Sequence, residues 1–259
     1  MQIVGYEAGT TTDFDDGDPA LLVAEGDGER RVRRVGLDPG TELAYSLEER
    51  RCAGVLDGDD HRPCGRPRAP YCEDHAHTWV CARCTGTCLK PEMDCHQDHA
   101  VYLAAFAPDA FKVGVTKLWR LRRRLVEQGA DRGAHVHTVT NGRIAREIEA
   151  ETATEIPDRV RVPTKVEGLG TGLDGDAWEA LLAEFDVQER IDPAYDLPLD
   201  RRPVADTLAS GTVRGVKGRV LLLERGGTTY AVDMRELVGH EVTDGDPGRD
   251  LQSSLGAFG

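Results

Sequence analysis

Residues 101–151 read VYLAAFAPDAFKVGVTKLWRLRRRLVEQGADRGAHVHTVTNGRIAREIEAE, and the fold is decided there. VYLAAF and FKVGVT are short apolar runs of strand character, and KLWRLRRRLVEQGA continues as a basic helix. AHVHTVT predicts a further strand, and REIEAETATEI a second helix. Thr116 can cap the first helix by accepting from its orphan N–H groups, and Gly129 can end it in the left-handed conformation. Asn141 with Gly142 marks the entry to the second helix, and Pro157 follows its end. The order strand, strand, helix, strand, helix makes a compact α/β unit to which the rest of the chain attaches.

On the first helix Leu118, Leu121 and Leu125 form an apolar stripe, with Arg120, Arg123 and Arg124 on the solvent side. Arg122 lies at the stripe's edge, from where its guanidinium could reach across the sheet face. Lys112, Lys117, Arg120, Arg122, Arg123 and Arg124 are six bases with no acid among them. They read either as a solvated face whose stems cover apolar surface or as a phosphate-contacting patch. On the second helix Glu149 sits beside Ile148 at the margin of the buried face, while Glu147, Glu151 and Glu155 form a solvated row.

Outside this unit the composition changes. All seven cysteines lie between Cys52 and Cys95, in a stretch rich in Gly and Pro that has little hydrophobic periodicity. Such a segment cannot offset its chain entropy by apolar burial alone. The count is odd and no basic, apolar leader is visible at the N-terminus, so a disulfide framework fits poorly and metal fits well. Cys52, Cys64, Cys72 and His75 make one tetrahedral set, and Cys81, Cys84, Cys88 and Cys95 a second, with His96 or His99 able to replace a cysteine in the latter. Closed sets of this kind predict two structural zinc ions. The spacing of the second set matches none of the common iron–sulfur runs, and a catalytic zinc would keep one position open.

The flanks read as β structure. QIVGY, ALLVAEG, ERRVRRVGL and ELAYSL precede the cysteines, and DFDDGD at 13–18 is a solvated loop without the ligand spacing of a calcium site. Near the C-terminus GTVRGVKGRVLLLERGGTTYAVDMREL holds a hairpin at Gly226-Gly227 and repeated Gly211, Gly215 and Gly218. These predict a small β-barrel-like module completed by the N-terminal strands. Between the central unit and this module, DAWEALLAEF is an amphipathic helix carrying Trp178, Leu181, Leu182 and Phe185. The expected class is therefore α+β. The boundaries are an N-terminal β segment (1–51), a zinc segment (52–99), the core (100–157), a wrapping connector (158–203), a C-terminal β module (204–245) and a tail (246–259).

Asp plus Glu exceed Lys plus Arg by 46 to 32, a net charge of −14. An acid surplus of this size suits a protein kept soluble in a halophilic cytoplasm, and it repels nucleic acid everywhere except at a basic patch. The longest apolar runs are too short to cross a membrane.

VYLAAF, FKVGVT, the Arg-bearing helix and the later Glu together resemble the core of the GIY-YIG nuclease superfamily. The resemblance implies that Tyr102 stands for the tyrosine of the first motif and Lys112-Val113-Gly114 for the second. It puts Arg122, ten residues after Lys112, in the place of the catalytic arginine, and Glu149 in that of the metal ligand, taking Mg²⁺ in an active enzyme. Lys112 departs from the motif's second tyrosine, which in working nucleases helps to activate water. Over roughly residues 30–245 the chain also resembles the domain-of-unknown-function family two-seven-nine-seven, through the Cys segment, KVGVT with EQGA, AREIE, GTVRGVKGRVLLLE and LVGHEV. The expected function is binding of nucleic acid, of either type, or of another phosphate-bearing ligand on a degenerate nuclease-like core. The alternatives are a divergent Mg²⁺-dependent endonuclease or phosphodiesterase and a protein-interaction scaffold.

Overall fold

The computed structural model describes residues 1–9, 17–26, 30–76, 95–195, 197, 199 and 201–245. Strands β1 (Gln2–Glu7), β2 (Ala20–Glu25), β3 (Arg30–Gly36), β4 (Glu42–Arg50), β5 (Val55–Asp57) and β6 (Asp60–Arg62) come first. Next are β7 (His99–Phe106), β8 (Ala110–Lys117), α1 (Leu121–Gln128), β9 (Arg132–Val139) and α2 (Gly142–Thr152). These are followed by α3 (Val162–Glu167), α4 (Gly175–Leu182) and β10 (Glu189–Ile191). The last elements are β11 (Val204–Ala205), β12 (Ala209–Lys217), β13 (Val220–Arg225), β14 (Thr228–Asp233), α5 (Met234–Leu237) and β15 (His240–Asp244). They divide into two compact units: β7–β10 with α1–α4, and β1–β6 with β11–β15 and α5. Among the described residues no helix is long and apolar enough to cross a membrane.

The unit built on β7 is a four-stranded antiparallel sheet in the order β10-β9-β7-β8. All eight residues of β7 are buried, because helices cover both faces of the sheet. Successive side chains of a strand point to opposite faces. Val101, Leu103 and Ala105 accordingly pack with Ala145 of α2 and with Trp178 and Leu182 of α4, while Ala100, Tyr102, Ala104 and Phe106 pack with Leu121 and Leu125 of α1. The helix read at DAWEALLAEF thus contributes to this core. Gly129 ends α1 at φ 69°, and the Asn141 side chain opens α2 by accepting from Arg143 N at 2.7 Å.

Contrary to the expectation from sequence, Thr116 caps no helix: it lies in β8, which stays paired with β7 as far as Lys117. A 3-10 turn over Leu118–Arg120 intervenes, and α1 starts at Leu121 with no side-chain cap.

In the other unit the N- and C-terminal strands interleave in one eleven-stranded sheet, in the order β11-β14-β13-β12-β4-β15-β1-β2-β3-β6-β5. Gly226 and Gly227, at φ 56° and 77°, make the tight β13–β14 turn that only residues tolerant of positive φ allow. The expected closed barrel is not found. Among the described residues the sheet ends at β11 and β5, strands of two and three residues that offer few backbone groups for closure. Ile3, Leu21, Leu221, Leu223 and Val232 share the core on one side, while Val4, Ala24, Ala53 and Val238 pack together on the other.

Candidate functional site

Two polar clusters stand out, one in each unit. The first follows β4. Cys52 leaves that strand, Cys64 follows the β5–β6 hairpin, and Cys72 with His75 lies in the next turn. Backbone bonds lash the segment: Cys52 N donates to Arg66 O at 2.9 Å and Ala53 N to Pro70 O at 2.8 Å. From β1, Gln2 Nε2 donates to the carbonyls of Cys52 and Gly239, at 3.3 and 3.1 Å. The result brings Cys52, Cys64, Cys72 and His75 together, their donor atoms all within 4.8 Å of one another, so the four could hold a metal ion. His75 Nδ1 stands 3.3 Å from the sulfurs of both Cys52 and Cys72.

Two features favour thiolate at Cys52. Its Sγ accepts from the amides of Gly54 and Cys72, at 3.4 and 3.2 Å. Gly54 supplies this with φ +72°, in a space where a Cβ would fall 2.1 Å from Arg62 O. Against them, burial pushes the Cys52 thiol up, and a bound cation reverses that preference. In the second expected set, Cys81, Cys84 and Cys88 lie outside the described residues. Cys95 is half-buried, and His99 lies in β7 with Nδ1 donating to Gln97 O at 2.6 Å.

The second cluster surrounds Tyr102. Opposite it in β8 is Gly114, and a Cβ at Gly114 would lie 2.6 Å from the Tyr102 ring and hydroxyl, so the phenol rests on bare backbone. Gln128 Nε2 donates to the Tyr102 hydroxyl at 2.8 Å, and the Arg124 guanidinium lies against it. Lys112 is only 8% exposed, its Nζ 5.7 Å from the Tyr102 ring centroid. Arg146 and Glu149, three residues apart on α2, form an ion pair with both side chains largely buried.

These surroundings tune the two titratable groups in opposite directions. Burial pushes the Tyr102 phenol up, so it stays protonated as a hydrogen-bonding group. Burial brings Lys112 down to about 8, with Glu149 opposing the shift and Arg124 adding to it. Lys112, not Tyr102, is therefore the group that exchanges a proton near neutral pH.

Of the residues singled out in the sequence, Tyr102, Lys112 and Glu149 converge. Arg122 does not: it pairs with Glu189 of β10 at the surface, both side chains exposed. Arg124, although as solvent-facing as Arg122, is the arginine of α1 whose guanidinium reaches the Tyr102 hydroxyl. The signal was present as Arg124 and Gln128, four residues apart and flanking the buried Leu125. Arg146 was missed altogether. Arg120, Arg123 and Arg124 share one carboxylate, Glu127, at 3.0, 3.1 and 3.2 Å.

Among the described residues the Cys52 group is where three or more His, Cys, Asp or Glu side chains could hold a metal. Among the described residues no such donor set gathers at Glu149, whose carboxylate is engaged by Arg146. No curated protein and no solved structure matches the chain. The family model described as "Protein of unknown function (DUF2797)" matches residues 63–242, and the chain belongs to that family.

Proposed function

We propose that this member of the family is a zinc-stapled protein that binds nucleic acid, or another phosphate-bearing ligand, at the cluster around Tyr102. The observation that carries the reading is the gathering of Lys112 and Arg124 about one protonated phenol, with the Arg146–Glu149 pair beside Lys112, in a chain of net charge −14. Guanidinium forks match phosphate oxygens bidentately, and a phenol donates to a third oxygen. The basic residues Lys117, Arg120, Arg122 and Arg123 extend the same positive strip along the 3-10 turn and α1. Three thiols and one imidazole are a donor set suited to tetrahedral zinc, so zinc is the ion proposed for the Cys52 group.

The likeness to the GIY-YIG core is supported by the element order and by Tyr102 facing Gly114 across two adjacent strands. In that reading Arg124, not Arg122, fills the arginine position. A second reading, phosphodiester hydrolysis, is favoured by the Lys112 amine at about 8. A lysine replaces the motif's tyrosine as a base only when burial lowers it this far, and an amine neutral above pH 8 can take a proton from water. Glu149, engaged by Arg146, does not as placed fit Mg²⁺.

Binding of labelled RNA and DNA across a salt series tests the first reading. Arg124→Ala should weaken binding and lower the log–log salt slope by about 1, the contribution of one phosphate contact. Wild-type protein that binds neither polymer at low salt ends its nucleic-acid form. Cleavage that rises through pH 8 and disappears in Lys112→Met supports the second, and cleavage unchanged in that variant removes Lys112 from it.

A further inference from the structure

Trp119 is 71% exposed, while Trp178 is buried at 2%. Single exposed apolar residues are ordinary on protein surfaces. Trp119 differs in its neighbours. It sits in the 3-10 turn Leu118–Arg120 between β8 and α1, where Leu118 packs partly against the core. Lys117 precedes it, and the Arg120 guanidinium lies 5.8 Å from its ring centroid. Arg120 is itself fixed by Glu127, the carboxylate that also holds Arg124 beside Tyr102. One carboxylate thus ties the exposed indole to the polar cluster.

We propose that Trp119, backed by Arg120 and Lys117, is a stacking platform for an unpaired nucleobase whose adjoining phosphate runs toward the Tyr102 cluster. The proposal rests on the nucleic-acid reading and narrows it to single-stranded polymer. Stacked base pairs present no face to an indole, whereas an unpaired base does, and every base has such a face. The chemistry also suits this chain. With a net charge of −14 the bulk surface repels a polyanion, and stacking supplies an attraction that salt does not screen.

The test titrates the full-length protein with three labelled probes: a short single strand, its duplex, and a base-free sugar–phosphate strand of equal length. Wild type should prefer the single strand over the base-free strand by about 10-fold, the scale of one base–aromatic stack. Trp119→Ala should abolish that preference with duplex binding unchanged, and Trp119→Phe should keep most of it. If wild type binds all three probes equally, or if Trp119→Ala keeps the preference, the platform is overturned while phosphate binding stands. If no probe binds, the nucleic-acid reading itself fails and the platform falls with it.

Discussion

The Cys52 knuckle and the Tyr102 cluster each join polar groups from separated segments, yet they are held by opposite means. The knuckle lies in loops, between short strands, where little apolar surface is available to fix four ligands. Its order derives from backbone bonds, to which an ion held by its four donors would add. The Tyr102 cluster hangs on a strand buried along its whole length, with helices on both sides. Its geometry is set by packing. A metal site can therefore be read from residue types alone, whereas a packed polar site depends on the phase of every element that feeds it.

Metal removal probes this contrast most strongly. Chelation, or Cys72→Ser, should release one zinc equivalent, a loss on the order of 10 kcal/mol of local binding energy. Amide exchange of Ala53 and Cys72, whose N–H groups bond Pro70 O and Cys52 Sγ, should then accelerate, while the amides of β7 keep their protection. Equal loss of protection in both regions would show that the packed cluster also depends on the ion.

The next effect belongs to Lys112. Its folded pKa, about 8, lies below the usual 10.5, so between those values the unfolded chain holds more protons and stability rises with pH. Below pH 8 the buried charge costs up to about 3 kcal/mol, at ~1.4 kcal/mol for each tenfold loss of proton affinity. Lys112→Met should therefore be more stable than wild type at pH 7, and the gap should close between pH 8 and 10.5. A gap independent of pH in denaturant melts would refute the assignment.

Gly114→Ala should cost about 1–3 kcal/mol, because its Cβ must displace the Tyr102 ring or bend β8. A neutral outcome would mean that the ring is free to move. Smallest is Arg122→Ala, which removes an exposed ion pair with Glu189 and should change stability by less than about 1 kcal/mol. If it weakens nucleic-acid binding more than Arg124→Ala does, the exchange of roles between these two arginines is reversed.

The sequence made the strand and helix order around β7 legible, because short apolar runs such as VYLAAF, followed by amphipathic helices, have few other solutions. The four candidate ligands of the knuckle were legible for a chemical reason: thiols and an imidazole gathered in a loop-rich stretch suit a metal ion. The arginine beside Tyr102 was not. Its choice depended on where β8 stops pairing, and Lys117, still opposite His99, delays α1 past Thr116. Arg146 escaped for a similar reason, since an Arg three residues before a Glu reads as a surface pair until α2 is seen to bury both. Sheet closure was illegible too, because it rests on the short edge strands β5 and β11 and not on the glycines that suggested it.

The place of β4, between β12 and β15, has a consequence for how the protein is made. When β1 to β4 leave the ribosome, the partners for both edges of β4 and for one edge of β1 are still unsynthesised. The unit of β7–β10 draws its pairings from within its own stretch and can complete itself during that wait. The earliest segment of the chain is thus among the last to settle, and nascent β4 is where a chaperone or a neighbouring copy would find open backbone.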